Sequence, residues 1–279
     1  MIPLFFGISN GLTKDIITEI NNARHLYKPI ILNTSIPIVD YGYLNGKYIG
    51  PQLNPITIAQ SAIRDYDIIK KSNYKNDSAI INLITKADWF LGNSRDIGNY
   101  SILEYHFDFP SYDNMKPPWL SSMAQSQAIQ ALIKANNLTK DNRYLKLSDR
   151  LLNAFFIEVK DGGVTYKDKD GWWFEEYAKA SNPQQPRVLN GMGFTLLGIY
   201  DYYKYTHSLK AKFLFDKGVK SFMDNIDKYD NGILSNYDAL GKPADLFYHK
   251  IHLEILDKLY HITGNNFFKN YYDKWKSRI

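Results

Sequence analysis

Residues 119–133 read WLSSMAQSQAIQALI, long enough for several helical turns and without one charge. A helix with no charged face is buried on every side. Residues 188–200, VLNGMGFTLLGIY, and 55–63, PITIAQSAI, are uncharged in the same way. Each is followed by a charged, amphipathic stretch, roughly 64–91, 140–157 and 209–227. An apolar helix inside and a charged helix outside, repeated, predicts an all-α dominated fold: an (α/α) barrel or toroid of helical hairpins. A fourth pair is expected at 244–262 and 264–277, with the corner at Gly264-Asn265-Asn266 ending its first member. The repeat is architectural and has no fixed sequence period.

Working outward, Tyr43 to Tyr48 encloses Asn45-Gly46 and reads as a small β-hairpin. Residues 161–173 form a second hairpin-like excursion between Asp161-Gly162-Gly163 and Asp170-Gly171. A helix is expected at 13–25, and residues 1–49 are read as an extension packed on a barrel of 50–279.

The chain has 279 residues, 44% of them apolar, as a globular protein requires. Lysine and arginine exceed aspartate and glutamate by five (34 against 29), and the basic residues are scattered. Nucleic acid is therefore not the expected partner, while an acidic sugar polymer suits the mild excess. The absence of cysteine excludes disulfides, thiolate catalysis and cysteine zinc sites. Residues 1–12 lack a basic front and a small-residue cleavage site. No apolar run reaches the length of a membrane span. A cytoplasmic location is expected.

Chemistry-bearing residues gather in weakly charged surroundings. Glu175-Glu176-Tyr177 follows Trp172-Trp173-Phe174, and Val188-Leu189-Asn190-Gly191 comes just behind. Tyr237-Asp238 precedes Phe247-Tyr248-His249-Lys250-Ile251-His252. At 100° per residue, Lys250, Glu254, Asp257 and Lys258 share one face of the last long helix, with His252 opposite and Tyr248 and His249 flanking it. A lone buried histidine is more often a hydrogen-bonded core residue than a catalyst, and 22 tyrosines reduce the weight of any single one. Gln60, Gln125, Gln127 and Asn190 lie in the uncharged helices, where their amides bond either a ligand or one another. His106 and Asp108 are too weak a pair to assign a metal.

In order and spacing, these stretches resemble the C-terminal domain of D-glucuronyl C5-epimerases, which convert glucuronate to iduronate within heparan-type polymers. The resemblance rests on Gly50-Pro51-Gln52 with 55–60, on 118–129, on Glu175-Glu176-Tyr177 with Val188-Leu189-Asn190-Gly191, on Gly198-Ile199-Tyr200-Asp201, on Tyr237-Asp238, and on Tyr248-His249-Lys250-Ile251-His252. It covers about 50–279. It implies an (α/α) barrel, commonly dimeric, with the site in a cleft at the barrel end; acid/base chemistry by such residues needs no metal or cofactor. The catalytic residues it implies are Glu176, Tyr177, Tyr237 and Tyr248. Arg187, Asn190, Gln125, Gln127, Trp119, His249 and His252 are expected around the substrate.

Two motifs depart from the family pattern. Where Tyr-Asp-Leu-Arg is often found, this chain has Tyr237-Asp238-Ala239-Leu240, without the arginine. Lys242, Arg187 and Lys179 are the nearby cations, although lysine does not replace a bidentate arginine contact. Ala-Gln-Gly-Gln is Ala124-Gln125-Ser126-Gln127 here.

Inverting C5 of a uronate requires proton removal beside a carboxylate and proton return to the other face. That calls for two acid/base groups and for neutralisation of the developing charge. Three functions remain open from sequence: an epimerase, a lyase sharing the proton abstraction, and a non-catalytic uronate-glycan binder. The acidic polysaccharide or oligosaccharide is the expected partner in each.

Overall fold

The computed structural model describes residues 36–279 except 113–114, 170 and 183. The expected helix at 13–25 lies outside the described residues. Four helical hairpins follow one another: α1 (Pro55–Lys71) with α2 (Asp77–Asn93), α3 (Ser122–Thr139) with α4 (Asn142–Asn153), α5 (Leu189–Thr206) with α6 (Leu209–Asn225), and α7 (Leu246–Thr263) with α8 (Asn266–Lys276). The first helix of each pair packs against the first helix of the next. The second lies outside its partner. This is the toroidal arrangement that the charge alternation predicts.

Three boundaries differ from the sequence reading. Residues 55–71 are one continuous helix, so the inner helix does not end at Ile63. Asn73 and Tyr74, both at positive φ, make the corner before α2. Charged residues enter the buried helix because Asp65 is paired with Lys86 of α2 at 2.5 Å, both side chains being largely buried. Trp119–Leu120 is a short strand, and α3 begins only at Ser122, where the Ser121 side chain accepts the Ala124 N–H. The helix expected at 188–200 runs from Leu189 to Thr206.

The inner helices approach closely where side chains are missing. A Cβ on Gly198 would stand 2.8 Å from both the Cβ and the main-chain oxygen of Ser126 on α3. One on Gly193 would stand 2.5 Å from Ile255 on α7. Both expected hairpins are present. Tyr43–Leu44 pairs with Lys47–Tyr48 around Asn45 and Gly46, both at positive φ, as a two-residue turn of this kind requires. Thr165–Asp168 pairs with Gly171–Phe174.

One large core runs through the eight described helices. Two smaller aromatic clusters, around Tyr105–Phe107–Trp119 and around Val188–Tyr237, sit at the end where α3, α5 and α7 begin. Tyr112 and Tyr177 pack against both.

Candidate active site

The strand ending at Phe174 delivers residues 175–178 into a fixed seat. The Glu175 N–H donates to the Val164 carbonyl at 2.8 Å, and the Ser122 N–H donates to the Glu175 carbonyl at 2.8 Å. Leu120 and Ala178 exchange two further main-chain bonds, at 2.9 and 3.0 Å. Tyr177 is thereby aimed between the two aromatic clusters. Opposite it, the Leu189 N–H at the start of α5 donates to the Tyr237 carbonyl at 3.0 Å. The loop 238–242 is folded around buried Asp238, whose Oδ1 accepts the N–H groups of Leu240 and Lys242 at 3.0 and 3.1 Å. Its Oδ2 accepts the Tyr112 hydroxyl at 2.8 Å. Asp245 caps α7 through the Tyr248 N–H, which sets Tyr248 in the first turn.

Tyr177, Tyr237 and Tyr248 share a cavity of about 370 Å³ with Phe109, Ser111, Tyr112, Lys242, Pro243 and Asp245. The hydroxyls of Tyr177 and Tyr237 stand 3.4 Å apart, and either can donate. The ring of Tyr248 meets that of Tyr237 edge-on at 4.8 Å. Phe109 stacks on Tyr177 at 4.8 Å. The Lys242 ammonium lies 5.3 Å from the centre of the Tyr237 ring.

Glu176 is 6% exposed and lies behind this wall rather than in it. Its Oε2 is 3.5 Å from the Asn190 amide. A Cβ on Gly191 would come within 2.3 Å of that oxygen, so the bare glycine leaves room for the carboxyl against α5. Burial raises its pKa to about 7, with hydrogen bonding from Tyr177 working against the rise. Proximity to the first turn of α5 also favours the anion. Glu175, fully buried, is raised further, to about 8, although it accepts the Arg187 N–H at 3.0 Å. The tyrosines move up as well. Burial leads in Tyr177, Tyr237 and Tyr248, and the Glu176 charge adds to each. They are therefore held as neutral hydroxyls.

The structure separates the remaining sequence candidates from the cavity lining. Gln125 is buried and bonds main chain instead of a ligand: it accepts the Leu103 N–H at 2.8 Å and donates to the Ser101 carbonyl at 3.0 Å. Trp119 is a core residue stacked on Tyr105 at 3.9 Å, with its indole N–H on the Phe107 carbonyl. The Arg187 guanidinium turns to Asp168 at 3.5 Å and to the Tyr166 ring, which leaves Lys242 as the cavity-lining cation among the described residues. Lys179 donates to the Pro118 carbonyl. Gln127 and Asn190 are buried, each with a side-chain oxygen lacking a partner.

His249 and His252 lie on the buried face of α7 and share the Ser235 hydroxyl, at 2.9 and 2.7 Å through their Nδ1 atoms. His249 Nε2 faces the Trp275 carbonyl at 3.2 Å and must carry a hydrogen to donate. Ser235 then donates to His249, and His252 donates to Ser235. Burial lowers the pKa of His249 and pushes that of His252 down to about 3, so both are neutral and structural in this setting.

Sequence reasoning missed Phe109, Ser111 and Tyr112, which come from a loop without a motif. The density of rings between Phe107 and Trp119 was the available signal. No group of three or more metal-ligating side chains occurs among the described residues, and none of their helices is long and apolar enough to cross a membrane.

A family model described as D-glucuronyl C5-epimerase C-terminus matches residues 97–277. The uncharacterized protein MJ1128 of Methanocaldococcus jannaschii is 31% identical, over 97% of this chain and 93% of its own. The D-glucuronyl C5-epimerase of Caenorhabditis elegans is 30% identical over 68% of this chain. The match spans about a third of that longer protein, 33% of its length. Among solved structures, a GH76 alpha-mannanase of Bacteroides thetaiotaomicron aligns with a TM-score of 0.53 at 15% identity, covering 92% of this chain and 68% of its own. A D-mannose isomerase aligns with a TM-score of 0.53 at 10% identity, covering 95% and 74%. These two likenesses establish the toroidal fold alone, whereas the family model extends over more than half of the sequence: the chain belongs to the D-glucuronyl C5-epimerase C-terminal family.

Proposed function

We propose that this carbohydrate epimerase inverts C5 of uronic acid residues within a glycan, using the buried Glu176 and the tyrosines in front of it. The observation that carries the reading is that three tyrosine hydroxyls, Tyr177, Tyr237 and Tyr248, face one cavity with the buried Glu176 carboxyl behind Tyr177. Glu176 does not line the cavity, so it acts through Tyr177. The Tyr177 oxygen takes the C5 proton as its own proton passes to the carboxylate. The electron pair of the broken C–H bond moves into the sugar carboxylate, where Lys242 balances the charge. Tyr248 then gives its proton to the opposite face and the C5–H bond re-forms inverted. Protonated Glu176 and the Tyr248 oxyanion are reset by transfer back along Tyr177 and Tyr237. A carboxyl titrating near neutrality suits this exchange, because the proton is neither held nor lost too readily.

The test is incubation with heparan-type uronate oligosaccharides in heavy water. Deuterium at C5 together with inverted product supports the proposal. Appearance of an unsaturated uronate, which absorbs in the ultraviolet, would instead mark a lyase. Binding without exchange would leave the chain as a uronate-glycan binder.

A further inference from the structure

A second cavity, of about 210 Å³, adjoins the first across Phe109 and Tyr112, which line both. Its remaining walls are Lys47, Asp108, Pro110, Met115 and Lys116. Lys47 and Lys116 both pair with the Asp108 carboxylate, the latter at 3.0 Å. One carboxylate thus answers two ammonium groups, and a positive charge remains in excess. The Lys116 side chain is 71% exposed and that of Lys47 48%, so both can turn towards a newcomer.

The lysines reach this place from distant parts of the chain. Lys47 sits on the Tyr43–Tyr48 hairpin, which is fastened to the loop by the Asn45 amide on the Pro110 carbonyl at 2.9 Å. Lys116 lies beyond the same loop. The hairpin therefore holds in place the segment whose Phe109 and Tyr112 separate the two cavities. Nothing in the proton transfer uses either lysine.

We propose that this second cavity is a subsite for the anionic group, carboxylate or sulfate, of a sugar neighbouring the one held at the tyrosines. The inference rests on the reading of the first cavity as a uronate site. Adjacent cavities divided by two side chains suit consecutive parts of one polymer. The aromatic partition offers apolar faces to sugar rings, while the exposed lysines offer a charge that a neutral glycan would not use. An exposed single ion contact contributes modestly, so the effect belongs to the two lysines together.

The experiment is calorimetric titration with alternating glucuronate–glucosamine di-, tetra- and hexasaccharides, with and without sulfate, at low and at moderate salt. Wild-type affinity is expected to rise roughly tenfold from disaccharide to tetrasaccharide, about 1.4 kcal/mol. The rise should shrink with salt, because the contact is exposed. The doubly substituted Lys47→Gln/Lys116→Gln protein should lose most of that ratio, and carboxyl-reduced, unsulfated oligosaccharides should not show it with either protein. Lys116→Gln alone, which leaves Asp108 its Lys47 partner, should lose part of it and guards against a displaced loop. A tetrasaccharide-to-disaccharide ratio unchanged in the double variant, or no length dependence in wild type, overturns the subsite. Because the readout is binding, an absence of C5 exchange would count against the proposed reaction and not against this cavity. Sulfated and unsulfated arms decide which anion it prefers.

Discussion

Replacing Glu176 by glutamine separates two consequences of one buried carboxyl. Burial raises its folded pKa from 4.5 to about 7. The folded protein then holds this proton more tightly than the unfolded chain does. The associated stability is complete below pH 4.5 and is lost as pH rises through about 7. At 1.36 kcal/mol for each pH unit, the loss across that window comes to about 3 kcal/mol. Glutamine has nearly the same size and no proton to lose. The unfolding free energy of Glu176→Gln minus that of wild type should therefore grow by about 2.5 kcal/mol between pH 5 and 8, in favour of the variant. Glu175 also titrates high, but it is present in both proteins and cancels, apart from the part of its rise owed to the Glu176 charge. Urea titrations at several pH values, compared at constant slope, give the difference directly. Over the same range, C5 exchange by wild type should increase as Glu176 ionises, and the variant should have lost it. Stability and activity then run in opposite directions around one midpoint. A stability difference that stays flat from pH 5 to 8 would refute the argument, since the carboxyl would then be titrating at an ordinary value.

Tyr248→Phe removes one hydroxyl from a half-buried ring; the unfolding free energy in urea should stay within about 1 kcal/mol of wild type while C5 exchange falls at least a hundredfold, on the scale expected for losing a positioned acid. Gly191→Ala places a methyl group 2.3 Å from Glu176 Oε2, so the carboxyl must move; overpacking of about 1–3 kcal/mol, partly offset by the helix preference of alanine, should appear in urea titration together with loss of exchange. Lys86→Ala leaves Asp65 buried without its ammonium partner and should cost about 3–5 kcal/mol in the same assay, whereas Asp65→Leu/Lys86→Met should recover most of it.

The fold could be read from charge because burial on all sides forbids uncompensated charge, and 119–133 and 188–200 obey that rule. It misled at Asp65, where the charge is buried but answered by a residue 21 positions away, a pairing no local pattern reveals. Tyr177, Tyr237 and Tyr248 were nameable because each belongs to a motif. Their convergence depends on main-chain bonds between remote segments, such as Leu189 to Tyr237. Gln125, Trp119 and the two histidines have the same chemical types as ligand-binding residues. Only their partners distinguish them, and those partners are main-chain N–H and carbonyl groups and a serine hydroxyl that sequence does not expose. Arg187 looked like the carboxylate-binding cation because of its place in the chain, but its positive φ and its guanidinium on Asp168 carry it elsewhere.

The contact of Gly198 with Ser126 has a consequence for the catalytic geometry. Helix α5 begins at Leu189, nine residues before this crossing, which is roughly 13 Å along the axis. Any side chain at 198 would wedge α5 away from α3 and rotate it like a beam on a fulcrum. A rotation of about five degrees moves the far end by about 1 Å, a misplacement that can cost on the order of a hundredfold in rate. Position 198 touches none of the residues proposed to react, yet such a rotation would reach Tyr237 and Glu176 through Leu189 and Asn190. A lineage could slow or silence this site by gaining one methyl group in the middle of the barrel wall.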